Sequence, residues 1–209
     1  MPDGAHGSPA RRELTLVSSC LAGLPCRYDG RAKPDPTIVQ AVREGRAVPA
    51  CAEQLGGLPT PRPAAEIVGG DGHDVLAGRA RVLGQQGKDF TEEFISGAHR
   101  VAAIAAEHGI TRATLQARSP SCGAARIYDG SHSGTLVAGD GVLAALLRSR
   151  GMTIEAIRGR IDLEPGTRAR HRALAALRSL STPASVQGRG QRECDEQDPD
   201  TPGERDPNF

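Results

Sequence analysis

The sequence has no run of about 18 consecutive apolar residues, which excludes a membrane-spanning helix. Neither sign of charge dominates. The chain carries 26 Lys and Arg against 25 Asp and Glu, a net of +1, so no global field draws it to nucleic acid or to a membrane surface. The segment from Met1 to Arg12 is polar and lacks the apolar core of a secretory signal, so the expected location is the cytoplasm. Lysine is nearly missing, with Lys33 and Lys88 alone among many arginines; with abundant Ala and Gly this suggests a GC-rich bacterial genome and says nothing of function. The 6 histidines show no zinc spacing, the 5 cysteines contain no paired C-x-x-C knuckle, and no internal repeat occurs.

An odd number of cysteines in a 209-residue chain does not resemble a disulfide scaffold. In a reducing compartment such thiols point to metal binding or catalysis. The length suits one full domain with tails. We expect a disordered leader over 1–13 and an α/β domain over 14–160. A short helix from Arg168 to Leu180 and a polar, disordered tail containing Cys194 are expected within 161–209.

Within the domain, Leu14–Ser18 reads as a buried strand ending at Ser19-Cys20, and Ala47–Ala50 as a short strand delivering Cys51. Pro36 opens a helix that runs to Arg43. Gln54 to Pro63 is too rich in glycine and proline for regular structure, and a long ordered loop is usually functional. Ala80–Leu83 reads as a strand, and Thr91 as the cap of a helix reaching Glu107. Ile110–Ala117 returns to strand character, Asp140 or Gly141 starts a helix through Arg150, and Met152–Ile157 is the last strand. This alternation predicts a layered α/β domain whose mostly parallel central sheet is flanked by helices. Sites in such sheets lie outside the carboxyl ends of the strands. Cys20, Cys51 and Cys122 each read as directly following a strand, which would bring three thiols to one pocket.

The third of these sits in Ser119-Pro120-Ser121-Cys122-Gly123, between a proline-stiffened turn and a glycine that permits close approach. Taken alone, Cys122 is equally a small buried hydrophobe. Glu53, two residues beyond Cys51, is either a proton-transfer group or a solvated charge. Ser119 either meets substrate or stabilises a turn through its hydroxyl. Arg62 and Glu66 read either as a pair with each other, which contributes little if exposed, or as substrate contacts.

Ser19-Cys20-Leu21-Ala22-Gly23, Cys26-Arg27-Tyr28-Asp29-Gly30, the run from Pro49 to Leu58 and Ser119-Pro120-Ser121-Cys122-Gly123 together resemble the domain-of-unknown-function 523 family, which includes bacterial 2-thiouracil desulfidase. The resemblance covers about Leu14 to Ile157. It implies a 4Fe-4S cluster held by Cys20, Cys51 and Cys122 with the fourth iron open, and functional roles for Glu53 and Ser119. It further implies a small thiolated substrate, such as a thiopyrimidine, that loses its sulfur as sulfide to water without net redox change. Cys26 belongs to the motif but is not carried over as a ligand. Gln116, Ala52 and His132 depart from the family pattern, where lysine, proline and an aromatic residue are usual. The alternatives are a colourless structural zinc site on Cys20, Cys51, Cys122 and Cys26, a thiol redox pair of Cys20 and Cys26, or a binding module whose glycine loops hold a small anion. Oligomeric state is left open.

Overall fold

Leu16 and Val17 are adjacent, both almost fully buried, and point into different cores. That alternation marks a strand covered on both faces. It is β1 (Thr15–Ser18), an inner strand of a four-stranded sheet in the computed structural model, which describes residues 13–159. The leader over residues 1–12, the expected helix at 168–180 and Cys194 lie outside the described residues.

Chain order then gives α1 (Pro36–Arg43), β2 (Ala47–Ala50), α2 (Ala52–Leu55), β3 (Ala65–Val68), α3 (Gly72–Leu76) and β4 (Arg81–Gly84). There follow α4 (Thr91–Glu107), β5 (Arg112–Gln116), β6 (Arg126–Tyr128), β7 (Leu136–Ala138), α5 (Val142–Ser149) and β8 (Thr153–Ile157). The main sheet has the order β2-β1-β5-β8, and every pairing in it is parallel. Pro49 is tolerated in β2 because that strand is an edge, where one side needs no ladder donor. The fold is the expected α/β layering.

One face of the sheet, through Leu16, Val48, Ala113 and Leu115, joins the larger core with Phe94, Val101, Leu143 and Leu147 from α4 and α5. The other face, through Val17 and Ala47, meets Ile38 of α1 together with Leu21, Cys20 and Cys26. Full burial of a side chain such as Leu16 contributes about 1.5–3 kcal/mol. Asp35 caps α1, its carboxylate accepting from Thr37 N at 2.9 Å and Ile38 N at 3.4 Å. This is the capping chemistry of a short acidic side chain.

Some sequence expectations need correction. Thr91 is the first residue of α4 and not its cap; Asp89 accepts from Thr91 N at 2.9 Å, and Thr91 Oγ1 instead accepts from Val82 N of β4 at 3.0 Å. Gln54 and Leu55 are helical despite the glycine and proline that follow them, because α2 packs closely on α4. Two antiparallel pairs, β3–β4 and β6–β7, stand apart from the main sheet. The strands β3, β6 and β7 carry only three or four residues each, too short for an alternating pattern to stand out in the sequence.

A candidate site at the strand ends

The β1–β5 ladder stops at Val17 opposite Thr114. Beyond it Gln116 N donates to the side chain of Ser18, at 2.9 Å, and no longer to strand backbone. The two strands separate there. They are also where the strand order reverses, with β2 on one side and β5 and β8 on the other, the place where α/β sheets form their crevice.

A cavity of about 380 Å³ occupies this crevice, within the range of small-ligand pockets. Cys20, Cys26, Cys51 and Cys122 all line it, as do Glu53 and Ser119. Every site residue expected from the sequence is thus brought to one cavity, and Cys26 joins them. Cys51 follows β2 immediately and Cys20 follows β1 by two residues, whereas the loop Ala117–Ser121 separates β5 from Cys122. The expectation that Cys122 directly follows its strand is corrected accordingly.

That loop has its own supports. Ser119 Oγ accepts from Ser121 N at 3.1 Å and from Cys122 N at 3.2 Å, so the hydroxyl shapes the turn, while its own proton remains to be donated. The carbonyls of Pro120 and Ser121 accept from Val142 N at 2.8 Å and Leu143 N at 2.9 Å. These are first-turn amides of α5, whose cap residue Gly141 has no side chain to offer, so the helix end and the cysteine turn satisfy each other. Gly123 completes the turn by donating to Ser119 O at 2.8 Å, and a Cβ there would sit 2.7 Å from that same oxygen. Only glycine permits the approach.

Arg62 is the residue that sequence reasoning undervalued. It is 3% exposed in its side chain; its Nε donates to Glu53 Oε2 at 2.8 Å, and its Nη2 lies 2.6 Å from the same oxygen. The guanidinium also donates to Cys26 O at 3.0 Å, Pro59 O at 3.1 Å and Thr60 Oγ1 at 3.2 Å. Its partner is therefore Glu53, not Glu66; the guanidinium is buried and the carboxylate partly so. Glu66 is buried separately, accepting from Gly130 N and His132 N at 3.0 Å each. The signal available in the sequence was an arginine held between prolines in a loop beyond the second cysteine.

The thiols differ electrostatically. Hydrogen bonding to Cys20, and then to Cys51, together with burial, raises the pKa of Cys26 well above the ordinary value. The same Cys26 thiol hydrogen-bonds the Cys51 sulfur and lowers the pKa of Cys51. Burial pushes the Cys122 thiol up, only partly offset by the Ser18 hydroxyl. Arg27, Arg62, Arg118 and Arg158 face the cavity with Glu53 and Glu66, a cationic balance that suits thiolates.

These donors fit an iron–sulfur group, since soft thiolates are its usual ligands. Among the described residues no group of three His, Cys, Asp or Glu is arranged to hold a single metal ion. A multi-iron cluster spreads its ligands more widely than one ion does. No helix of the described residues is long and apolar enough to cross a membrane.

Fold and site together define a class: a parallel α/β domain with a thiol-lined cavity at the switch point of its sheet. The chain belongs to the 2-thiouracil desulfurase family, whose model matches residues 15–157. An uncharacterized protein, YbbK of Bacillus subtilis (strain 168), is 45% identical over 141 residues, covering 68% of this chain and 93% of that protein. Among solved structures, the [4Fe-4S]-dependent thiouracil desulfidase TudS (DUF523Vcz) matches with a TM-score of 0.61 at 37% identity, over 80% of this chain and 99% of that one. The DUF523 label agrees with the family resemblance read from the cysteine motifs.

Proposed function

We propose that this chain is a 4Fe-4S-dependent desulfidase that removes the sulfur of a thiolated pyrimidine or related thiocarbonyl compound as sulfide. The overall change replaces C=S by C=O with one water consumed and H₂S released, so no electron donor or acceptor is required. The observation that carries the reading is the meeting of Cys20, Cys51, Cys122, Glu53 and Ser119 on one cavity at the strand ends.

Cys20, Cys51 and Cys122 are the proposed ligands. When bound, the cluster supplies a soft Lewis-acid iron without a protein ligand, suited to a sulfur donor. The chain's own residues do the rest. Arg62 engages Oε2 of Glu53 with two nitrogens, which orients the carboxylate and leaves Oε1 to take a proton from water or deliver one to a substrate nitrogen. Ser119 holds the Cys122 turn through its oxygen lone pairs and can donate its hydroxyl proton to a bound substrate. Tyr128 and His132 wall the same cavity.

The reading is tested by anaerobic reconstitution followed by iron and acid-labile sulfide analysis and an absorption spectrum. The loaded protein is then incubated with 2-thiouracil, following loss of thiocarbonyl absorbance and release of sulfide. The expected result is a coloured protein with both iron and sulfide that converts 2-thiouracil to uracil. A protein that takes up no iron, or that takes it up and turns over no thiocarbonyl compound, would refute the proposal.

A further inference from the structure

Cys26 lines the cavity, yet the proposed ligand set does not use it. Its surroundings suggest another task. Cys20, Cys26 and Cys51 pack in one apolar cluster with Val17, Leu21 and Ile38, whereas Cys122 belongs to the larger core on the other side of the sheet. Three of the four thiols are therefore packed together.

Within this group Cys26 and Cys51 are in direct contact. Cys51 Sγ lies 3.9 Å from Cys26 O, and the same carbonyl accepts from Arg62 Nη2 at 3.0 Å. Arg62 also holds Glu53, two residues beyond Cys51, so one guanidinium ties the two cysteine segments to each other. A disulfide forms without backbone movement only between residues that are already close. The two cysteines differ in access. Cys20, Cys26 and Cys122 are buried, and Cys51 keeps partial exposure. Thiol oxidation follows exposure, so an oxidant entering the cavity meets the Cys51 sulfur first.

Resting on the ligand set proposed above, we propose that Cys26 is a resolving thiol: in the chain without a cluster, peroxide that reaches Cys51 produces a reversible Cys26–Cys51 disulfide. The Cys51 thiolate attacks one oxygen of hydrogen peroxide, giving a sulfenic acid, and the other oxygen leaves as hydroxide and becomes water on protonation. The Cys26 sulfur then attacks the sulfenic sulfur, forming the S–S bond and expelling the hydroxyl as a second water. In sum, two thiols lose two electrons and two protons, and one hydrogen peroxide becomes two waters. Without a neighbouring thiol, a sulfenic acid goes on to sulfinic acid, which thiol reductants do not reverse. Cys26 thus preserves the exposed ligand. While the bond lasts, Cys51 is spent and the chain takes up no cluster, so the pair makes loading depend on redox conditions.

The test treats the metal-free full chain with hydrogen peroxide, blocks the remaining thiols with iodoacetamide and maps disulfides by mass spectrometry of unreduced peptides. The expected result is a loss of two hydrogen atoms, a Cys26–Cys51 link, and iron uptake that is lost on oxidation and regained after dithiothreitol. Cys26→Ser is expected to carry sulfinic acid at Cys51 and to stay unable to take up iron after dithiothreitol. A link from Cys51 to Cys20, Cys122 or Cys194, or wild-type Cys51 that stays unmodified or goes to sulfinic acid, overturns the proposal. Mapping the wild type needs no variant to fold. The link is read in protein without iron, so its absence leaves the desulfidase reading standing. A chain that forms the link but takes up no iron even before oxidation refutes that reading and keeps the thiol pair.

Discussion

Arg62 places two nitrogens on one oxygen of Glu53, with Nε 2.8 Å and Nη2 2.6 Å from Oε2, and spends its remaining donors on the backbone and hydroxyl of the neighbouring loops. The pair ties the loop that carries Cys26 to the helix that begins after Cys51. A lysine has one point charge and cannot make this set of contacts. Arg62→Lys keeps the positive charge and gives up several of the fork's hydrogen bonds, and is expected to lose about 1–3 kcal/mol of stability. Urea denaturation of the metal-free protein checks it; a loss below about 1 kcal/mol, the range of surface pairs, would show the clamp to be unimportant.

Glu53→Gln keeps an oxygen for Arg62 and removes the proton-transfer carboxylate. Iron content should be unchanged, while kcat for 2-thiouracil falls by on the order of 10²–10⁴. Turnover at the wild-type rate would remove Glu53 from the mechanism.

Four thiols line the cavity, and the proposed ligand set uses only Cys20, Cys51 and Cys122. Cys122→Ala should therefore abolish iron uptake, whereas Cys26→Ala should retain iron and acid-labile sulfide. The structure makes this a sharp comparison, since Cys26 lines the cavity beside Cys20 and Cys51 and its carbonyl accepts from Cys51 Sγ at 3.9 Å. Loss of iron in the Cys26 variant would make that residue a ligand.

Burial raises the Cys122 pKa, so the folded state holds its proton after the unfolded chain has released it. The stabilisation tied to that proton is complete below the unfolded thiol value of about 8.5 and is lost as pH rises above it, at up to about 1.4 kcal/mol per pH unit. Urea melts of metal-free protein under reducing conditions from pH 7 to 10 should show the wild type losing stability faster than Cys122→Ala. Parallel curves would mean that the thiol titrates normally.

Gly97 lies on α4 against α2, and a Cβ there would come within 1.9 Å of Ala52 O. Alanine gains at most about 1 kcal/mol in helix propensity. A clash with backbone cannot be relieved by turning a side chain, and overpacking costs about 1–3 kcal/mol or more. Gly97→Ala should thus be net destabilising and should lower iron uptake, because α2 begins directly after Cys51 and carries Glu53. A stabilised variant with full iron content would show that the two helices can separate without disturbing the site.

Much of this was readable in the chain. The apolar strands, Pro36 opening α1 and the helical spacing of Phe94, Ala98, Val101, Ala102 and Ala105 in α4 follow local rules, and the structure reproduces them. Local rules also explain the misses. Thr91 looked like a cap because nothing local reveals that Val82 N would claim its hydroxyl. Nothing local shows that Arg62 pairs with Glu53 or that Glu66 is buried, because the partners of a buried charge come from distant loops.

The sequence by itself determined the α/β class, through the alternation of strand and helix patterns, and marked out the cysteine, glutamate and serine positions by their motifs. Only the tertiary structure decided that these positions share a cavity with Cys26 and that Arg62 fixes the orientation of Glu53. The physical reason is that backbone pattern is set by neighbours along the chain. Partnership and burial of polar atoms are set by residues such as Ser18 and Gln116, nearly a hundred positions apart, meeting where two parallel strands diverge.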